Sequence, residues 1–109
     1  MIRDTISKIE ARLHSADACS EEVRAELLQL LAELKGEIST VDDEQARSIA
    51  GHTEHVTAQA IAEPAERNPE SLKRSLQDLS ESVEGFETSH PRLVAVVNRI
   101  ATTLANIGI

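Results

Sequence analysis

Glu87 and His90 stand three residues apart, a spacing that shares one face if a helix carries it. In di-iron four-helix bundles, a Glu-x-x-His pair from each of two helices joins Glu residues from two others. A homodimer of this chain would supply two such pairs. The neighbouring residue points elsewhere: Pro91 follows His90, which puts the pair at a turn, whereas di-iron ligands sit in mid-helix. On the structural reading, His90 caps the helix that follows and Glu87 bonds a nearby backbone N–H or faces solvent. Phe86 then closes the end of a core. His52 and His55 form a second pair at i, i+3. Such a pair holds zinc when further ligands arrive from elsewhere. It is not the His-Glu-x-x-His arrangement, and no cysteine pair accompanies it. A polar face on a weakly apolar helix accounts for it. Cys19 is the one cysteine, placed before a helix start that can lower a thiol pKa. His14 lies five residues upstream, and nothing recognisable orients it as a base. The expectation is no catalytic residue, no cofactor and no metal; ligation by His52, His55, Glu87 or His90 is the alternative.

The composition narrows the classes further. In 109 residues there are 11 Lys+Arg and 19 Asp+Glu, giving a formal charge of −8. An acidic chain without a basic cluster is a poor partner for a phosphate backbone. Phe86 is its sole aromatic, so it has no stacking platform for single strands. Nucleic acid is therefore not an expected partner. No apolar run is long enough to span a membrane. No uninterrupted apolar stretch marks a secretory signal, and a lone cysteine makes no intrachain disulfide. The expected compartment is the cytoplasm. The acidic run of Glu21, Glu22, Glu26, Glu33, Glu37, Asp42 and Asp43 reads as a solvated face.

The elements that must position these residues are helices. Apolar residues make up 40% of the chain, glycine is rare, and no strict period-2 alternation appears. Ile2, Ile6, Ile9, Leu13 and Ala16 are spaced 4, 3, 4, 3. A turn through Asp17–Ser20 follows, with Ser20 as N-cap and Glu21 and Glu22 in the first turn. The second stripe is Val23, Leu27, Leu30, Leu34 and Val41, widened by Leu28, Leu31 and Ile38. Thr40–Asp43 reads as a stop and restart, capped by Thr40 with Asp43 or by Asp42 with Gln45, although a continuous helix competes. Residues 44–62 form a weak middle helix on Ala46, Ile49, Thr53, Val56 and Ala60, with Gly51 inside. Pro64 and Pro69 make 63–69 a linker, with Asn68 as the next N-cap. The fourth stripe is Leu72, Leu76, Leu79, Val83 and Phe86. The fifth is Leu93, Val97, Ile100, Leu104 and Ile107, with Gly108 as its cap. Gly36 and Gly85 fall inside helical patterns and permit close approach or mark a bend. Residues 70–90 balance at −3 (two basic, five acidic) and residues 91–109 at +2, which suits a helical pair.

The stretch Ser82–Leu93 is distinctive, with its core Phe86-Glu87-x-x-His90-Pro91-x-Leu93. Val97-Asn98-Arg99-Ile100 and the ending Leu104–Ile109 follow it. Glu21–Leu28, Ser48-Ile49-Ala50-Gly51 and His55 extend the likeness into the first half. On these residues the chain resembles a family of short bacterial proteins known as a domain of unknown function, number 4404. The resemblance implies a small helical protein with no assigned activity, and it carries over no catalytic residue.

The expected fold is thus all-α: a single domain forming a small antiparallel bundle. Helical hairpins at 1–43 and 70–109 are joined through the weak middle helix at 44–62 and the linker at 63–69. Its stripes outnumber what one small bundle covers comfortably, so a homodimer is expected to complete it. Leu76, Leu79, Val83, Phe86, Leu93, Val97, Ile100 and Leu104 are the residues expected to carry core and assembly. The expected role is a non-enzymatic protein–protein interaction or structural module, with an unidentified protein as a further partner. The alternatives are a metal-binding bundle and an antitoxin-like regulator whose middle helix orders on binding.

Overall fold

The computed structural model describes residues 2–15, 20–62 and 64–108. Five α-helices follow in order: α1 (Ile2–Ser15), α2 (Glu21–Ile38), α3 (Asp43–Ala60), α4 (Pro69–Glu81) and α5 (Pro91–Gly108). A 3₁₀ turn, Pro64–Glu66, lies between α3 and α4. No strand occurs among the described residues. Ala16 of the expected first stripe, Asp17, Ala18 and Cys19 of the expected turn, and Glu63 lie outside the described residues.

The helix ends follow from local capping. The Ser20 hydroxyl accepts from the Val23 N–H at 3.3 Å, satisfying a donor with no partner inside the helix. Between α2 and α3 the chain stops and restarts. Asp42 is the cap, its carboxylate accepting from the Gln45 N–H at 2.9 Å. The continuous helix and the Thr40–Asp43 cap are thereby set aside. Asn68 Oδ1 accepts from the N–H groups of Glu70 and Ser71, both at 3.1 Å, and Pro69 opens α4.

Helix α4 is shorter than its apolar stripe. After Glu81 the backbone bonds tighten to i→i−3: Val83 N–H to Ser80, Glu84 N–H to Glu81, Phe86 N–H to Val83. Gly85 has φ +93°, a left-handed conformation that glycine adopts at little cost. Gly85 therefore belongs to a turn, which corrects its placement within a helix. Val83 still reaches the core and Phe86 packs against its edge. Gly36 sits within α2 with open space where a Cβ would stand, so it serves no close helix approach.

The middle helix is the main departure from expectation. Helix α3 packs against α1, α4 and α5, and buries Ala46, Ile49, Ala50, Thr53, Val56, Thr57 and Ala60. The small residues that suggested weakness allow neighbours to approach closely, so burial comes from fit and not from side-chain size. Thr53, fully buried, donates to the Ile49 carbonyl at 2.8 Å, which removes the cost of an unpaired hydroxyl. Helix α2 packs on α1 and α5. Its buried line is Leu27, Leu30, Leu31, Leu34 and Ile38, with Val23, Leu28 and Val41 at the margin. The stripe is thus rotated toward Leu31 and Ile38, the residues read as merely widening it.

One core results, joining Ile6, Ile9 and Leu13 of α1 to residues of every other helix. The Cα radius of gyration is 12.9 Å, against about 13 Å for a compact domain of 100 residues. Between Asp4 and Ile107 no Leu, Ile, Val or Phe side chain is exposed. The described stripe residues are thus buried or half-buried within one chain. No helix is long and apolar enough to cross a membrane among the described residues.

Candidate functional site

The residues with chemical potential sit at three places around the bundle. The first is the turn joining α4 to α5. The Gly85 N–H donates to Glu87 Oε2 at 2.8 Å, so the carboxylate closes its own turn. The His90 N–H donates to the Phe86 carbonyl at 2.7 Å, and the His90 carbonyl accepts from Val94 at 3.3 Å to start α5. His90 therefore caps α5 through its carbonyl, while its side chain does something else. Its Nε2 is 3.2 Å from the Thr40 carbonyl oxygen, beyond the end of α2, and its Nδ1 is 2.9 Å from Ser89 Oγ. A carbonyl only accepts, so Nε2 carries the hydrogen; in the neutral ring Nδ1 then accepts from the Ser89 hydroxyl. The Phe86 and imidazole rings form a T-shaped pair, centroids 5.5 Å apart at 76°.

The second place is α3. His52 is half-buried beside the core stripe and His55 is exposed. His55 borders an open cavity of about 330 Å³ near the start of α4, with Gln59, Glu66, Arg67 and Asn68. Arg67 crosses this end of the molecule: Nε donates to the Ala62 carbonyl at 2.8 Å and Nη1 to the Ile107 carbonyl at 3.3 Å. Gln59 Nε2 donates to Ser71 Oγ at 2.9 Å, tying α3 to α4. No group of three or more His, Cys, Asp or Glu placed to hold a metal occurs among the described residues.

The third place is a groove of about 310 Å³ between α2 and α5. Val23 and Glu26 form its α2 wall; Asn98, Arg99, Thr102, Thr103 and Asn106 form its α5 wall. Thr103 is buried at its floor and donates to the Arg99 carbonyl at 2.8 Å.

The family model of a domain of unknown function, DUF4404, matches residues 23–109. The chain belongs to this family. The DUF4404 match runs from the first turn of α2 to the chain end and includes the α4–α5 turn, all of α3 and the groove. Helix α1 lies outside it, as do Glu21 and Glu22 of the likeness read at Glu21–Leu28. No curated protein and no solved structure matches the chain.

Within this DUF4404 fold, the sequence-derived residues are partly brought together. Leu79, Val83, Leu93, Val97, Ile100 and Leu104 join the core, fully or almost fully buried, while Leu76 and Phe86 pack at its edge. Glu87 and His90 share one turn and bond different partners. His52 and His55 remain on α3. His14 is exposed and Cys19 lies outside the described residues. Glu21, Glu22, Glu26, Glu33, Asp42 and Asp43 are exposed, and Glu37 half-exposed, as a solvated face requires. The Thr40 carbonyl and the Arg67 side chain were missed. A backbone acceptor leaves no sequence signal, and one arginine beside two prolines reads only as linker charge.

Proposed function

We propose that this chain is a non-enzymatic helical interaction module that works through its surface, as a homodimer, in the cytoplasm. One observation carries the reading. The most conspicuous chemical pair in the sequence is engaged in holding the fold: His90 Nε2 and Nδ1 and Glu87 Oε2 each have a hydrogen-bond partner inside the chain. What remains for recognition is the outer surface, which is sorted by charge. Helix α2 presents Glu21, Glu22, Glu26 and Glu33 to solvent, while α5 contains Arg92 and Arg99 and no carboxylate. Such sorting sets the orientation and rate of association more than its strength.

The test is purification at native expression without a chelating tag, followed by elemental analysis and mass spectrometry of co-purifying protein. The reading expects metal far below one equivalent and retention of a protein partner, either a second copy or another chain. One equivalent of zinc, iron or manganese, lost in Glu87→Ala/His90→Ala or in His52→Ala/His55→Ala, overturns it.

A further inference from the structure

We infer that the α2–α5 groove seats a second copy of this chain, related by a two-fold axis running along the groove. The inference rests on the interaction-module reading and assigns its surface and partner. The two walls differ in sign. Glu26 stands on the α2 wall and Arg99 on the α5 wall, both exposed, and neither has an ion-pair partner among the described residues. A two-fold contact is isologous, so each patch meets a copy of itself and must be self-complementary. An axis along the groove lays α2 of one copy over α5 of the other. Glu26 of each copy then faces Arg99 of the other, giving two equivalent ion pairs.

The remaining wall suits close approach. Asn98, Thr102 and Asn106 stand at i, i+4 and i+8 on α5, short and uncharged, in a helix without a carboxylate. Other occupants fit less well. A partner presenting apolar knobs finds no exposed Leu, Ile, Val or Phe between Asp4 and Ile107. A small ion of either sign meets one repelling wall. The small size of the groove, about 310 Å³, places the contact in the weak, transient class.

Sedimentation velocity on the full chain, from low micromolar to millimolar concentration, tests this directly. Wild type is expected to associate to dimer, less so at high salt. Glu26→Arg alone, or Arg99→Glu alone, makes both cross-pairs repulsive and weakens association about tenfold or more. Mixing the two single variants restores it. In the mixed dimer the first variant presents arginine at both positions and the second presents glutamate at both, so each cross-pair is attractive again. Circular dichroism melts confirm that these exposed substitutions leave the fold intact. A wild-type monomer throughout, a dimer indifferent to both reversals, or no recovery on mixing overturns the groove assignment. A wild-type monomer removes the homodimer together with the groove; the other two failures leave the module reading standing, and metal content decides that reading separately.

Discussion

His90 Nε2 lies 3.2 Å from the carbonyl oxygen of Thr40, fifty positions earlier in the chain. This bond closes the α4–α5 turn onto the chain just beyond α2. Three consequences meet in one imidazole: its Nε2–H bond to the Thr40 carbonyl fixes the tautomer, its ring packs T-shaped against Phe86, and its Nδ1 is left to accept from Ser89. His90→Ala is expected to destabilise the fold by about 1 kcal/mol, the usual net worth of one hydrogen bond. Ser89→Ala should cost less, since it leaves the His90–Thr40 bond and the Phe86 contact in place. Thermal melts of both variants check the order, and equal losses would count against the latch.

The glycines separate by conformation. Gly36 and Gly51 lie within helices, with nothing near the position of a Cβ. Replacing either with Ala should stabilise the chain by up to about 1 kcal/mol, because alanine is the better helix former and space is free. Gly85→Ala faces equally open space at φ +93° and should destabilise by about 1–2 kcal/mol, from Cβ strain alone. Urea unfolding of the three variants reads the sign directly.

The position of α3 gives a sharper test. Ala50 is 2% exposed on a helix packed against three others. Ala50→Leu must therefore displace neighbours and should cost about 1–3 kcal/mol. Ala32, exposed on α2, accepts leucine with little change. A peripheral or late-ordering middle helix would make the two substitutions equivalent in a thermal melt.

Arg67 ties the linker to the end of α5 through the Ala62 and Ile107 carbonyls. Cationic donors at a helix C-terminus are favoured by both hydrogen bonding and the helix dipole. Arg67→Ala should speed amide exchange at 62–68 and 104–108 and leave α1 protected. Uniform acceleration across the chain would show that the arginine supports global stability and no local tie.

The helices were legible because each carries an apolar stripe at spacings of three and four, and most add a capping Ser, Asp or Asn or a proline at the start. Ser20, Asn68, Pro69 and Pro91 stand where local chemistry requires them. Asp42 was legible only as one of two caps, since Thr40 offered a second. The weight of α3 was not legible, because Ala46, Ala50 and Ala60 advertise little apolar area and reveal their value only when neighbours close around them. The end of α4 was hidden for a related reason: Val83 and Phe86 keep helical spacing while the backbone beneath them tightens and turns at Gly85. Of the candidate site, the Phe86–His90 grouping was visible in sequence, but its acceptor was not. The groove walls became adjacent only through the packing of α2 on α5.

The central claim is that the Glu87–His90 turn is a structural latch and not a ligand site. Long-range ¹H–¹⁵N correlation of the His90 ring, with and without one equivalent of zinc, tests it most directly. The expected result is an Nε2–H imidazole whose ring nitrogens do not shift when zinc is added. An Nδ1–H tautomer, or stoichiometric displacement of the His90 nitrogen signals by zinc, would contradict it.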